Sequence, residues 1–170
     1  MYYWRVTKYD PKNRNERGHY QKDEWISVGD IGTVYDGVEF TFDAYLLAEN
    51  AYVDAIIRIM RGNNTESLTV KRLQKNHRYV NYADFPEIEL RKYVRELKTN
   101  TIMPMHDIMK IARLVLRERI WCKLESEHMF VHFGDDYYMF IGSENELKNE
   151  ISAIRENGLF VEDMVSPYLY

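Results

Sequence analysis

Residues 41–61, Thr41 through Arg61, limit what this chain can become more than any other stretch. Within them Asp43, Asn50, Asp54, Arg58 and Arg61 recur at spacings of 7, 4, 4 and 3 and trace one narrow polar stripe. Nearly all the rest is apolar or aromatic, including Tyr45, Leu46, Ala48, Tyr52, Val53, Ile56, Ile59 and Met60. A helix apolar around most of its circumference has to be buried. The spacing therefore predicts a long central helix with Thr41 or Asp43 near its N-cap. Arg58 and Arg61 suit the C-terminal end of the helix dipole, and Gly62 is placed to end it.

The segments around that helix read mostly as strands. Tyr2-Tyr3-Trp4-Arg5-Val6-Thr7-Lys8-Tyr9 is aromatic and β-branched. A polar loop opening with Asp10-Pro11 runs on to about Asp23, and Glu24–Val28 is a short strand or turn. Asp36-Gly37 signals a tight turn. Leu68–Leu73 is a strand in which Leu68, Val70 and Arg72 alternate with Thr69, Lys71 and Leu73. Further helices are expected from Pro86, carrying Ile88, Leu90, Tyr93, Val94 and Leu97, and over about 104–119, with Ile108, Ile111, Ala112 and Val115 on its apolar side. The last third reads as a β-meander over 121–124, 129–133 and 137–141, with Gly134-Asp135-Asp136 as a hairpin turn. A capping box at Ser143 and Glu146 would open a helix over 144–157, closed by Gly158 and followed by a short strand. The fold class is α+β: one domain, 1–170, an antiparallel sheet with about four helices packed largely on one side.

The chain has 170 residues, enough to bury a core without staples. Its lone cysteine, Cys122, excludes an internal disulfide and a cysteine-rich zinc site, and it sits in an apolar strand beside Trp121 where a structural role is expected. No apolar run approaches the ~20 residues that span a bilayer, and the N-terminus lacks signal-peptide order. A cytoplasmic protein is the expectation. Nucleotide-binding glycine loops, zinc-protease pairs and nucleophile elbows are all missing, so the expectation is a non-enzyme without cofactor. His128 and His132 lie about 13 Å apart along a strand, too far to share a metal ion. His106-Asp107 reads as dipole compensation at a helix start.

Charge is distributed in blocks. Residues 1–22 carry +4, 23–57 carry −8 with no Lys or Arg, 58–123 carry +8, and 124–170 carry −8, within a net charge of −4. If the acidic blocks meet in space, the resulting face steers cationic partners. Tyrosine is abundant, 14 against 7 Phe and 3 Trp; it gives contact area at low entropic cost and suits interfaces. Acid beside tyrosine on turns selects Asp30, Tyr35, Asp36, Glu39, Asp135, Asp136 and Tyr137 as the partner-binding set. The alternative is a nucleic-acid-binding regulator using the basic helices 86–98 and 104–119, through Arg91, Arg95, Lys98, Lys110, Arg113 and Arg117.

The opening Tyr2–Tyr9 strand, the polar loop, and Glu24-Trp25 leading to Asp30-Ile31-Gly32 and then the apolar helix resemble the immunity proteins of bacterial contact-dependent growth inhibition and related polymorphic toxin systems. That resemblance implies a cytoplasmic, non-catalytic protein that binds and neutralises a cognate toxin, often a nuclease. A cationic ribonuclease is the expected partner. The resemblance supplies no functional residues by position.

Overall fold

A computed structural model describes residues 1–76 and 87–170. Seven strands form one sheet: β1 (Tyr2–Thr7), β4 (Ser67–Lys75), β5 (Ile102–Pro104), β6 (Ile120–Glu125), β7 (Met129–Phe133), β8 (Met139–Ser143) and β9 (Phe160–Asp163). Their order is β5-β4-β6-β7-β8-β1-β9, and every neighbouring pair is antiparallel. The meander β6–β7–β8 is local, as expected. The N-terminal strand closes the sheet by entering between β8 and β9, joining the two ends of the sequence. A separate hairpin, β2 (Val34–Tyr35) with β3 (Val38–Glu39), turns at Asp36-Gly37. Both turn residues have positive φ, 49° and 79°, which the Asp-Gly pair tolerates and a two-residue hairpin of this hand requires.

Among the described residues four α-helices accompany the sheet: α1 (Phe42–Gly62), α2 (Glu87–Glu96), α3 (Met105–Leu116) and α4 (Lys148–Glu156). The α+β architecture and the long central helix are as the sequence implies. Thr41 Oγ1 accepts from Ala44 N–H at 3.2 Å and caps α1. α1 packs against α3 and α4, burying Tyr45, Tyr52, Ile56, Ile59 and Met60 completely. Cys122, Leu124, Met129, Val131, Met139 and Ile141 face the same core from β6, β7 and β8. Burial pushes the Cys122 thiol up to about 12, in keeping with a structural cysteine. The expected first residue of α2, Pro86, lies outside the described residues, as do the side chains of Ile88 and Leu90.

Four local expectations change. Gly62 stays inside α1 and Asn63 caps it; a Cβ at Gly62 would stand 2.8 Å from Leu147, so this glycine admits a close neighbour. The capping box at Ser143 does not form. Ser143 is the last residue of β8, paired to both Tyr2 and Met129, and its buried Oγ bonds Asn63 and Asn145. α4 therefore starts at Lys148, after Leu147 in a left-handed turn, and still closes at Gly158 with φ 91°. α3 stops at Leu116 because Glu118 turns left-handed, φ 57°. In β4 a bulge between Lys71 and Gln74, with Arg72 at φ 51°, breaks the alternation: Arg72 is exposed and Leu73 packs on the core.

Candidate partner-binding surface

The acidic residues selected from the sequence are brought towards one another by two aromatic side chains and one lysine. Trp25 stacks on Phe40 at 4.4 Å and meets Tyr137 edge-on at 4.8 Å, joining the first acidic segment to the 134–138 turn. Lys8 lies between them, its side chain only 8% exposed and its Nζ 3.2 Å from the Glu24 carboxylate. The ammonium sits 4.0 Å from the Tyr9 ring centre and 4.2 Å from that of Trp25. Desolvation lowers its pKa to about 8, against the opposing pull of Glu24, Asp30 and Asp136. Asp30 and Asp136, from different acidic blocks, thus act on one cation.

Each selected residue has a definite place. Asp30 is half-buried and holds the local turn: its Oδ2 accepts from the backbone N–H of Ile26 at 2.8 Å and of Ser27 at 3.0 Å. Tyr35, also half-buried, packs against the core, and desolvation, joined by the nearby Asp30 and Asp23 charges, raises its hydroxyl pKa. Asp36 and Glu39 are exposed on the β2–β3 hairpin, flanked by Val34 at 59% and Val38 at 70% exposure. Asp135 and Asp136 are exposed on the hairpin turn.

Tyr137 does not belong to this surface. It is buried, its hydroxyl donating to Leu116 O at 2.7 Å and its own carbonyl accepting from Tyr52 at 2.6 Å. Successive left-handed residues, Asp136 at φ 52° and Tyr137 at φ 65°, turn its ring inward among Trp25, Tyr45 and Tyr52. The aspartates are left outside.

The basic residues of the two helices differ: those of 104–119 are engaged within the fold, and those of 86–98 are exposed. Glu49, completely buried on α1, accepts from Arg113 Nη1 at 2.6 Å and Arg117 Nη2 at 2.7 Å, while Arg113 Nη2 reaches Asn50 at 2.9 Å. Lys110 lies 3.4 Å from Asp107 and over the Tyr93 ring. Arg91, Arg95 and Lys98 are exposed. Glu49 was legible as an anomaly: it is a carboxylate on the apolar side of a helix, in a window without a cation of its own.

A second constellation went unread. His132, 1% exposed, bonds Ser166 Oγ through Nδ1 at 2.9 Å and Glu125 through Nε2 at 3.1 Å. Burial, with help from the Lys123 charge, lowers its pKa against the Glu125 hydrogen bond. Lys123 Nζ donates to Tyr168 O. The order serine–histidine–carboxylate invites comparison with a hydrolytic triad. Here Nδ1 ties Ser166 to the sheet and Nε2 pairs with Glu125 of the neighbouring strand β6, and neither described cleft is lined by His132 or Ser166. Among the described residues there is no cluster of three or more metal-ligating side chains, and no helix is long and apolar enough to cross a membrane.

One cleft adjoins the acidic turn. It has a volume of about 560 Å³ and runs between the 134–138 turn, the end of α3 and the end of β4. Compared with family models, with curated proteins and with solved structures, the chain finds no match.

Proposed function

We propose that this chain is an immunity protein that captures and neutralises a cationic protein toxin, a nuclease and specifically a ribonuclease. The observation that carries the reading is the β2–β3 hairpin. It stands outside the main sheet and presents exposed Val34 and Val38 beside Asp36 and Glu39. It leads through Phe40 and Trp25 to the turn bearing Asp135 and Asp136. Apolar area beside carboxylates suits a protein partner with a basic surface. The valines supply dehydrated contact and the acids supply steering and register. A nuclease needs positive charge to hold phosphates, so a carboxylate surface laid over that charge excludes the substrate.

The engagement of Arg113 and Arg117 by Glu49 supports this reading over the nucleic-acid alternative, because it removes two cations from the proposed phosphate clamp.

The test is capture of the toxin encoded beside this gene. Asp36→Asn and Glu39→Gln, combined with Asp135→Asn and Asp136→Asn, are expected to weaken the complex strongly. Loss of a carboxylate buried against a basic partner residue costs roughly 2–5 kcal/mol, about 30- to several-thousand-fold. The control replaces the same number of acids, Glu16, Glu127, Glu146 and Glu156, which are exposed elsewhere. Equal loss from both sets reduces the effect to net charge, and no loss from the first set rejects this surface.

A further inference from the structure

We infer that the cleft beside the 134–138 turn is a receptor for an arginine side chain on a polypeptide partner, an inference that deepens the proposed function and rests on it for the partner's identity. Its volume, about 560 Å³, lies within the ~300–1,000 Å³ range of clefts that hold small ligands or side chains. One part of the lining is apolar and aromatic: buried Tyr52, Tyr137, Phe133 and Met139 contribute to it, with Trp121 and Ile26 nearer solvent, beside the polar Gln74 and Asn76. Such walls accept an aliphatic stem. Its charged lining is Glu118, Asp135, Asp136 and Lys75.

The three acids are not cancelled within the cleft. Glu118 spends one carboxylate oxygen on Ser27 Oγ at 2.7 Å, and Asp135 and Asp136 are exposed on the turn. Asp136 feels Lys8, whose ammonium is itself held at Glu24. Lys75, the one cation of the lining among the described residues, donates to Arg95 O at 2.9 Å. Among the described residues the lining thus offers three carboxylates against one lysine already engaged.

The backbone shapes this arrangement. Glu118, Asp136 and Tyr137, all left-handed without being glycine, line the same cleft. Each lies in a connection between regular elements, Glu118 between α3 and β6, Asp136 and Tyr137 between β7 and β8. The occupant follows from charge complementarity combined with depth. A lysine ammonium is a compact, strongly hydrated charge. A guanidinium is planar, loses hydration more readily, forks onto two carboxylates and lies against aromatic rings. At the adjoining Tyr138 the guanidinium carbons of Arg5 and Arg14 lie 5.6 and 5.4 Å from the ring centre, so an aromatic ring beside the cleft already carries guanidinium groups.

The experiment uses the full chain and a capped Gly-Arg-Gly-Arg-Gly peptide, with its lysine and citrulline counterparts, followed by amide and indole NMR shifts. The arginine peptide is expected to move the Trp121 indole and the amides of 134–138. Citrulline, the same shape without charge, is expected to be at least about tenfold weaker, a difference of about 1.4 kcal/mol, and lysine intermediate. Combined Glu118→Gln, Asp135→Asn and Asp136→Asn should abolish the response while amide dispersion reports an intact fold. Leu47→Ser, on the exposed side of α1, should leave peptide binding unchanged. Equal binding of citrulline, retained affinity in the triple variant, or shifts confined to the β2–β3 hairpin would each overturn the inference. No toxin enters this assay, so a chain that holds the arginine peptide but captures no toxin refutes the proposed function and leaves the cleft assignment standing. A toxin complex undiminished by Glu118→Gln, at a residue the proposed surface does not use, refutes the part of the cleft in capture alone.

Discussion

The two faces of the seven-stranded sheet are made by the same strands yet built from different chemistry. Towards α1 and α3, strands β6, β7 and β8 send Cys122, Leu124, Met129, Val131, Met139 and Ile141, an apolar layer closed to solvent. Towards the other side the same strands send Lys123, Glu125, Phe130, His132 and Phe140, and β1 adds Arg5. That second layer is closed as well, but by polar pairing and aromatic stacking. Arg5 forks onto Glu162, His132 lies flat against Phe130 at 4.2 Å, and the Tyr168 ring approaches Trp121 and Phe140. An apolar face gains stability from any well-shaped contact. A polar face does so only when each buried donor and acceptor finds its partner. The first face therefore tolerates repacking, whereas the second depends on individual atoms.

The comparison breaks first where polar pairing intrudes on the helical side. Glu49→Ala would leave Arg117, 10% exposed, and Arg113 without their shared carboxylate. The expected loss is about 3–5 kcal/mol, the range for breaking a buried ion pair, read from urea unfolding. A loss of about 0–1 kcal/mol, as for surface pairs, would mean this cluster does not lock α1 to α3.

A smaller effect is expected on the opposite face at Gly142. A Cβ there would stand 2.1 Å from the Phe130 ring, so Gly142→Ala must drive that ring from its stack on His132. The expected cost is about 1–3 kcal/mol, as for overpacking, and Phe130→Leu in the same chain should recover part of it. Full tolerance of Gly142→Ala would show that this face is loosely packed.

The smallest effect is the pH dependence of the tail contacts. His132 has its pKa lowered in the fold by burial and by Lys123, against the hydrogen bond from Glu125, with Ser166 on the other ring nitrogen. A depressed histidine binds fewer protons folded than unfolded. Its contribution is complete above the unfolded value of about 6.5 and is lost as pH falls towards the folded value. The urea midpoint should fall between pH 7.5 and pH 5, and His132→Gln should flatten that slope. An unchanged slope in the variant would assign the acid sensitivity to the carboxylates instead.

How much of this was legible in the sequence depended on how far apart the deciding atoms lie. Thr41 as N-cap, the Asp36-Gly37 turn, the meander and Gly158 after α4 follow from interactions within a few residues. Residue identity reports these directly. The same local logic failed at Ser143, whose capping motif lost to two strand partners and to Asn63, 80 positions away. It failed at Tyr137, where two left-handed residues reversed the expected orientation and Leu116, 21 positions away, took the hydroxyl. Of the surface chosen from composition, Asp36, Glu39, Asp135 and Asp136 are exposed. Asp30 is spent in its own turn.

The amino-acid order by itself determined that a long apolar helix must be buried under an antiparallel sheet, because periodicity states which side of an element avoids water. Only the tertiary structure decided which arginines meet Glu49, where β1 enters the sheet, and that residues 166–168 cross its polar face. Those choices are pairings between segments distant in sequence, Glu49 and Arg113 being 64 positions apart. A buried charge demands some partner, but only the packed chain selects which one comes within reach.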